Sequence, residues 1–136
     1  MADTFTVVTQ YPTVEYLGGT QTRDVIAVGY TLKPSGLYFE ARIPAASYTA
    51  AQVNDYGIGY SGTIGALLAI PGVTDGYWSQ TPTAAGELED QLTLTVTSDS
   101  GNSSGTVTVP ASEWDTQDVG PKVAKLLKSL NDAEAL

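Results

Sequence analysis

Gly57-Ile58-Gly59-Tyr60-Ser61-Gly62 has the spacing that lets backbone amides meet a pyrophosphate at a strand-to-helix turn. That chemistry needs a strand just before the glycines and a ribose-binding acid about 20 residues on. Here the motif lies inside a helical pattern, and Asp75 comes too early to serve. A closely packed helix is the better reading. Glu87, Glu89 and Asp90 cluster ahead of a strand, and Asp99 and Asn102 share a loop. Such oxygens suit calcium, but the spacing of a calcium loop is missing. A glycosidase pair would need two acids facing across a cleft, so these acids read as a solvated loop. Asn102-Ser103-Ser104 is a glycosylation sequon, which matters only in a secreted chain.

The 136 residues contain no His and no Cys. Imidazole bases, thiolate nucleophiles, disulfides and the common zinc ligand sets are closed to the chain. It reads as a non-enzymatic protein with no catalytic residues, no cofactor and no metal. Six Lys and Arg against fifteen acids give a net charge of −9, the wrong sign for a phosphate backbone, so no nucleic-acid partner is expected. No apolar run approaches the ~20 residues of a membrane span, and the polar Met1-Ala2-Asp3-Thr4 does not open a signal peptide. The length suits a single domain over 1–136. Charged residues are only 15%, below the ~25% of ordinary soluble domains, as suits a β-rich surface covered by neighbours.

The elements follow from periodicity. Arg23–Leu32 places Ile26, Val28, Tyr30 and Leu32 on one face and Val25, Ala27 and Gly29 on the other, so it reads as a central strand. Lys33-Pro34-Ser35-Gly36 turns the chain, and Leu37, Phe39, Ala41 and Ile43 point inward along the return strand, which Pro44 ends. Ahead of this hairpin, Thr4–Val8 is a short strand, Pro12 limits pairing, and Thr13–Leu17 reads as an edge strand before Gly18-Gly19. Thr49 and Gln52 form a capping box, flanked by Tyr48 and Val53, and helical spacing runs on to Pro71. Gly57, Gly59, Gly62 and Gly65 each cost ~1 kcal/mol inside a helix. Either the helix packs against another backbone, which is preferred, or it bends near Gly59–Gly62.

Gly72–Gln80 reads as a strand, Thr81–Gly86 as a loop, and Leu92, Leu94 and Val96 as the core face of the next strand. Thr106–Val109 returns after a polar loop. A last helix opens at Pro121 and covers about 121–131, with Val123, Leu126, Leu127 and Leu130 as its stripe and fraying from Asn131. No internal repeat stands out. The class is α+β: a mostly antiparallel sheet of about six to seven strands with a Gly-rich central helix and a C-terminal amphipathic helix.

Two surface features suit contact with a partner. Ten of the twelve aromatics are Tyr or Trp, residues common at interfaces and on sugar platforms, and Trp114 stands among Glu113, Asp115 and Asp118. Lys122, Lys125 and Lys128 make residues 122–136 net +1, while residues 1–121 carry −10. A cationic helix on an acidic body suits a neighbouring copy, although a solvated helix face explains it equally well. Trp114, Lys122, Lys125 and Lys128 are therefore the interface candidates.

Tyr16–Val25, Lys33–Glu40, Ile70-Pro71-Gly72-Val73 with Trp78, and Asp90–Ser103 resemble stretches of small structural proteins of long-tailed bacteriophages, especially those of actinobacteria. The resemblance implies a virion component, a tail or tail-tip protein, with head decoration or a head–tail connector as alternatives. Other virion proteins and copies of itself would be its partners, with a cell-surface glycan as a further one. A different class also fits the aromatics: a carbohydrate-binding β-domain.

Overall fold

The computed structural model describes residues 4–18, 20–83 and 87–136. Gly19 of the expected break and Ala84-Ala85-Gly86 of the expected loop lie outside the described residues. The strands are β1 (Thr4–Gly18), β2 (Gln21–Lys33), β3 (Tyr38–Pro44), β4 (Val73–Pro82), β5 (Leu88–Thr97) and β6 (Ser104–Pro110). The helices are α1 (Ala50–Leu68) and α2 (Thr116–Glu134), each entered through a short 3-10 turn. The class is α+β, but the six strands form two antiparallel sheets of three, ordered β1-β2-β3 and β4-β5-β6. Pro44 ends β3, and α1 carries the chain away before β4 starts, so no ladder joins the two sheets.

The central hairpin is as its alternation demands. Val28, Tyr30, Leu32, Phe39, Ala41 and Ile43 are fully buried, and Val25 and Ala27 are buried on the opposite face of β2. Tyr30 stacks on Phe39 at 5.0 Å, Phe39 on Tyr60 at 5.5 Å, and the Tyr30 hydroxyl donates to the Val53 carbonyl at 2.6 Å. Leu92, Leu94, Val96 and Val109 of the second sheet join the same hydrophobic cluster, as do Val119 and Val123 of α2.

Four expectations about the elements need correction. β1 is one strand of 15 residues rather than two pieces; Pro12 pairs with Ile26 within it, and a bulge falls between Val7 and Thr9. An edge strand has one side free of a ladder, and there a missing N–H costs little. α2 starts at Thr116, capped by the Asp115 carboxylate accepting from the Gln117 amide, with Pro121 inside the helix. One missing donor in its second turn is outweighed by the cap and by burial of Val119. The end of α2 does not fray at Asn131, because Glu134 accepts from Ser98 at 2.6 Å and from Ser100, while Asn131 bonds Asp99.

The fourth correction concerns repetition. Adding 66 to each residue number of the first half gives the second half. Pro44 becomes Pro110, the N-caps Thr49 and Asp115 correspond, and α1 (Ala50–Leu68) becomes α2 (Thr116–Glu134). The registers agree as well. Ile26↔Ile43 becomes Leu92↔Val109, Pro12↔Ile26 becomes Trp78↔Leu92, and the Val7/Thr9 bulge becomes the Val73/Asp75 bulge. The chain is a tandem pair of β-β-β-α units. Residue identities are few, and packing partners differ between the units: Phe39 on Tyr60 in the first is Gly105 on Leu126 in the second.

α1 is unbroken, and only part of its glycine content has a packing reason. A Cβ on Gly57 would come within 2.5 Å of the Phe5 ring, a side chain and not the backbone expected. Gly59 and Gly62 face open space. Gly59→Ala should therefore stabilise the monomer by about 0.5–1 kcal/mol through helix propensity. Gly57→Ala should destabilise it by about 1–3 kcal/mol, because the Phe5 ring must leave Tyr30. Urea unfolding of the two variants reads the opposite signs.

Candidate assembly surface

The joint between the two units is polar at its centre. Arg42 on β3 of the first unit donates from Nε to Glu15 at 2.8 Å and from Nη1 to Asp90 at 3.2 Å. Glu15 also holds Arg23 at 2.7 Å. Asp90, on the core face of β5 and 5% exposed, accepts further bonds from Gln80 at 3.2 Å and Tyr60 at 3.5 Å. Beside them Tyr38 meets Trp78 edge to face, ring centroids 6.2 Å apart, and Tyr60 meets Trp114 the same way at 6.1 Å. The residues come from β1, β2, β3, α1, β4 and β5, so the network ties the first unit to the second.

Its charges are unequally satisfied. Burial pushes the Glu15 carboxyl up, but hydrogen bonds and charge from Arg42 and Arg23 more than offset this and hold it below the usual carboxylate range. Burial pushes Asp90 up, and Arg42 and its hydrogen-bond donors offset only part of that. The Trp78 indole N–H is buried without a hydrogen-bond partner, yet it is near enough to Asp90 to favour the charge. Tyr60 is pushed to about 12, first by burial and then by the Asp90 charge, so it stays a neutral donor. A carboxyl raised in this way has one attribute of a general acid. Here its oxygens are taken up by Arg42, Gln80 and Tyr60, and a cleft of only about 120 Å³ adjoins the network.

Opposite pH dependences follow. The folded Asp90 pKa lies above its unfolded value, so folding gains from Asp90 at low pH and loses that gain as pH rises through the folded pKa. The folded Glu15 pKa lies below its unfolded value, so its contribution is present above the unfolded pKa and is lost as pH falls through the folded one. Unfolding titrations across the carboxylate range should show the Glu15→Gln penalty shrinking on acidification. The Asp90→Asn penalty, relative to wild type, should grow.

Trp114 is half-buried and donates from its indole to the Val109 carbonyl at 3.1 Å, so part of it is a strut of the second unit. Its exposed part lines an open groove of about 480 Å³ with Ala111 and with Tyr56, Gly59, Tyr60 and Thr63 of α1. On α2, Lys122 pairs with Glu113 at 2.7 Å and Lys128 with Asp132 at 2.5 Å, both solvent-exposed; Lys125 has no ion pair among the described residues. The stripe of α2 is spent inside its own chain, with Leu126 against Gly105 and Leu127 against Gly72. The Lys face is left outward.

Glu87 is exposed, Glu89 half-exposed and Asp90 buried, so the expected acidic loop divides between solvent and the joint. No three metal-ligating side chains gather among the described residues. The glycine motif lies within α1, away from the N-terminal amides that bind phosphate. No described helix is long and apolar enough to cross a membrane.

Sequence reasoning missed the surface with the most exposed apolar side chains. Along β1, Val7, Val8, Tyr11, Val14, Tyr16 and Leu17 are each 36% exposed or more. β3 stops pairing at Val25↔Pro44, so beyond Val25 the β1–β2 hairpin has no third strand; Glu15 ties it to Arg42, and Val14 and Tyr16 share a cleft with Gln80 and Leu88 of the second unit. The signal was present in the apolar content of Thr4–Leu17, but Pro12 masked its continuity. Comparison with family models, with curated proteins and with solved structures finds no match.

Proposed function

We propose that this chain is a structural subunit of a tailed-phage virion, a tail or tail-tip protein that works by assembling. The observation that carries the reading is the two-stranded end of the β1–β2 hairpin with its exposed Val14, Tyr16 and Leu17. Two strands alone are marginal in water, and a long apolar edge invites pairing with another chain. Natural monomers blunt such edges, so an edge of this kind suits a protein whose working state is covered. The virion placement comes from the resemblance of Tyr16–Val25, Lys33–Glu40, Ile70–Val73 with Trp78, and Asp90–Ser103 to phage structural proteins. Peptide mass spectrometry on purified particles carrying this gene should find the chain at a fixed copy number relative to the major tail protein. Its absence from particles, with abundant protein left free in the lysate, would refute the reading.

A second reading rests on the groove of Tyr56, Tyr60 and Trp114. Aromatic faces beside the exposed Gly59 and Thr63 suit stacking of a sugar ring. Glycan-array binding by the wild type that Trp114→Ala abolishes would favour this carbohydrate-binding alternative.

A further inference from the structure

The two units meet head to tail. β3 and α1 of the first lie against β4 of the second, which leaves β1 at one end of the chain and β6 with the outer face of α2 at the other. Because the units share one register, part of each open surface is the counterpart of a surface covered at the internal joint, although Tyr11, Tyr16 and Leu17 match the exposed Tyr77, Pro82 and Thr83. Trp78, Ser79 and Gln80 are half-buried there, and their counterparts Pro12, Thr13 and Val14 are exposed. Glu40 and Arg42 are half-buried, and their counterparts Thr106 and Thr108 are exposed. Ile64 of α1 is fully buried, whereas Leu130 of α2 is half-open.

We infer that a second copy of this chain covers both ends, its β1 docking on β6 and α2 of its neighbour in the manner of the internal joint. This rests on the reading of the chain as an assembling subunit and names the partner and the surfaces. Charge agrees with it. Tyr60 touches Asp90 at the internal joint, and the shift of 66 places Leu126, with Lys125 beside it, toward Asp24 of the next copy. Asp24 and Lys125 have no ion pair among the described residues. On β1 itself the single charge, Glu15, is already neutralised by Arg23 and Arg42, so copies of a chain at −9 can approach there without repulsion. Such an interface is heterologous: one surface of each copy meets a different surface of the next, and repetition gives a ring or a filament.

The distinguishing experiment uses one variant blocked at each end, both at exposed positions. Val14→Glu blocks β1, and Thr106→Glu with Lys125→Glu blocks the β6–α2 end. Wild type should sediment as an oligomer larger than a dimer, and each variant alone as a folded monomer with the wild-type circular dichroism spectrum. An equimolar mixture should form a one-to-one dimer, because each variant keeps one working end. Thr13→Glu and Ser104→Arg form a second pair, carrying the same test should either first variant lose its fold; their counterparts Ser79 and Tyr38 lie at the internal joint. A wild-type monomer at every soluble concentration, a blocked variant that still assembles alone, or a mixture that stays monomeric would overturn the inference. The virion reading would survive that failure if the chain were still found in particles. It would fall separately if the mixture dimerised but particles lacked the chain.

Discussion

Arg42→Met should destabilise the protein by about 3–5 kcal/mol, one of the two largest single effects expected in the chain. The substitution keeps most of the side-chain volume but removes the cation that bridges Glu15 and Asp90. Asp90 is then a nearly buried carboxylate with only Gln80 and Tyr60 to satisfy it. Its raised pKa means that protonation relieves part of the cost, so the loss should be smaller in acid than at neutral pH. Adding Asp90→Asn should recover much of the loss, because an isolated buried charge costs far more than a missing pair. Chemical denaturation of the single and double variants reads both values. Equal losses in the two would mean that the arginine acts through packing alone.

Phe39→Ala should cost about 3–5 kcal/mol by leaving a cavity where three rings now stack. Phe39 is fully buried between Tyr30 at 5.0 Å and Tyr60 at 5.5 Å, and Tyr60 continues to Trp114. The aromatic column runs from the sheet of the first unit through α1 to the turn before α2. Its loss should therefore loosen the joint as well as the first sheet. Hydrogen exchange should show weakened protection at the Val109 and Trp114 segments of the second unit, together with β3. A loss confined to β2 and β3 would show that the column does not couple the halves.

Local rules made much of the fold readable. The alternation of Leu37–Ile43 and of Leu92–Val96 depends on neighbours two residues apart, and the Thr49 cap on a partner three residues away. The inward residues and the cap are seen, the Thr49 hydroxyl accepting from the Gln52 amide at 3.1 Å, but Thr93, expected to face out, is buried beside Thr108. What was hidden depends on distance. Arg42 alternates outward and Asp90 opens a strand, so both look solvated; only the folding of the β4–β5 hairpin against β3 brings them together, 48 residues apart. The split into two sheets was not legible because alternation reports faces and says nothing of which strands share a ladder. Nor was the repeat, since Phe39 against Gly105, or Gly57 against Val123, preserves the shape of a contact while erasing its identity.

The start of α2 shows two signals in competition. Pro121 suits a first helical position, and sequence alone favours it. Asp115 is an equally good cap, and the structure selects it because a helix starting there also buries Val119. Among the interface candidates, Trp114 divides between support and exposure, Lys122 and Lys128 find acids in their own chain, and Lys125 remains for a neighbour. The β1 surface went unseen because Pro12 divides Thr4–Leu17 into two short pieces, so Thr13–Leu17 reads as an edge strand without the continuous apolar row that the 15-residue strand exposes.

The most direct measurement is a density map of the assembled protein at side-chain resolution. The account predicts that β6 and α2 of one copy lie against β1 of the next, related as β3 and α1 are to β4 within the chain, with Asp24 beside the Lys125 face. A map with β1 open to solvent, or with β1 paired to itself about a two-fold axis, would contradict it.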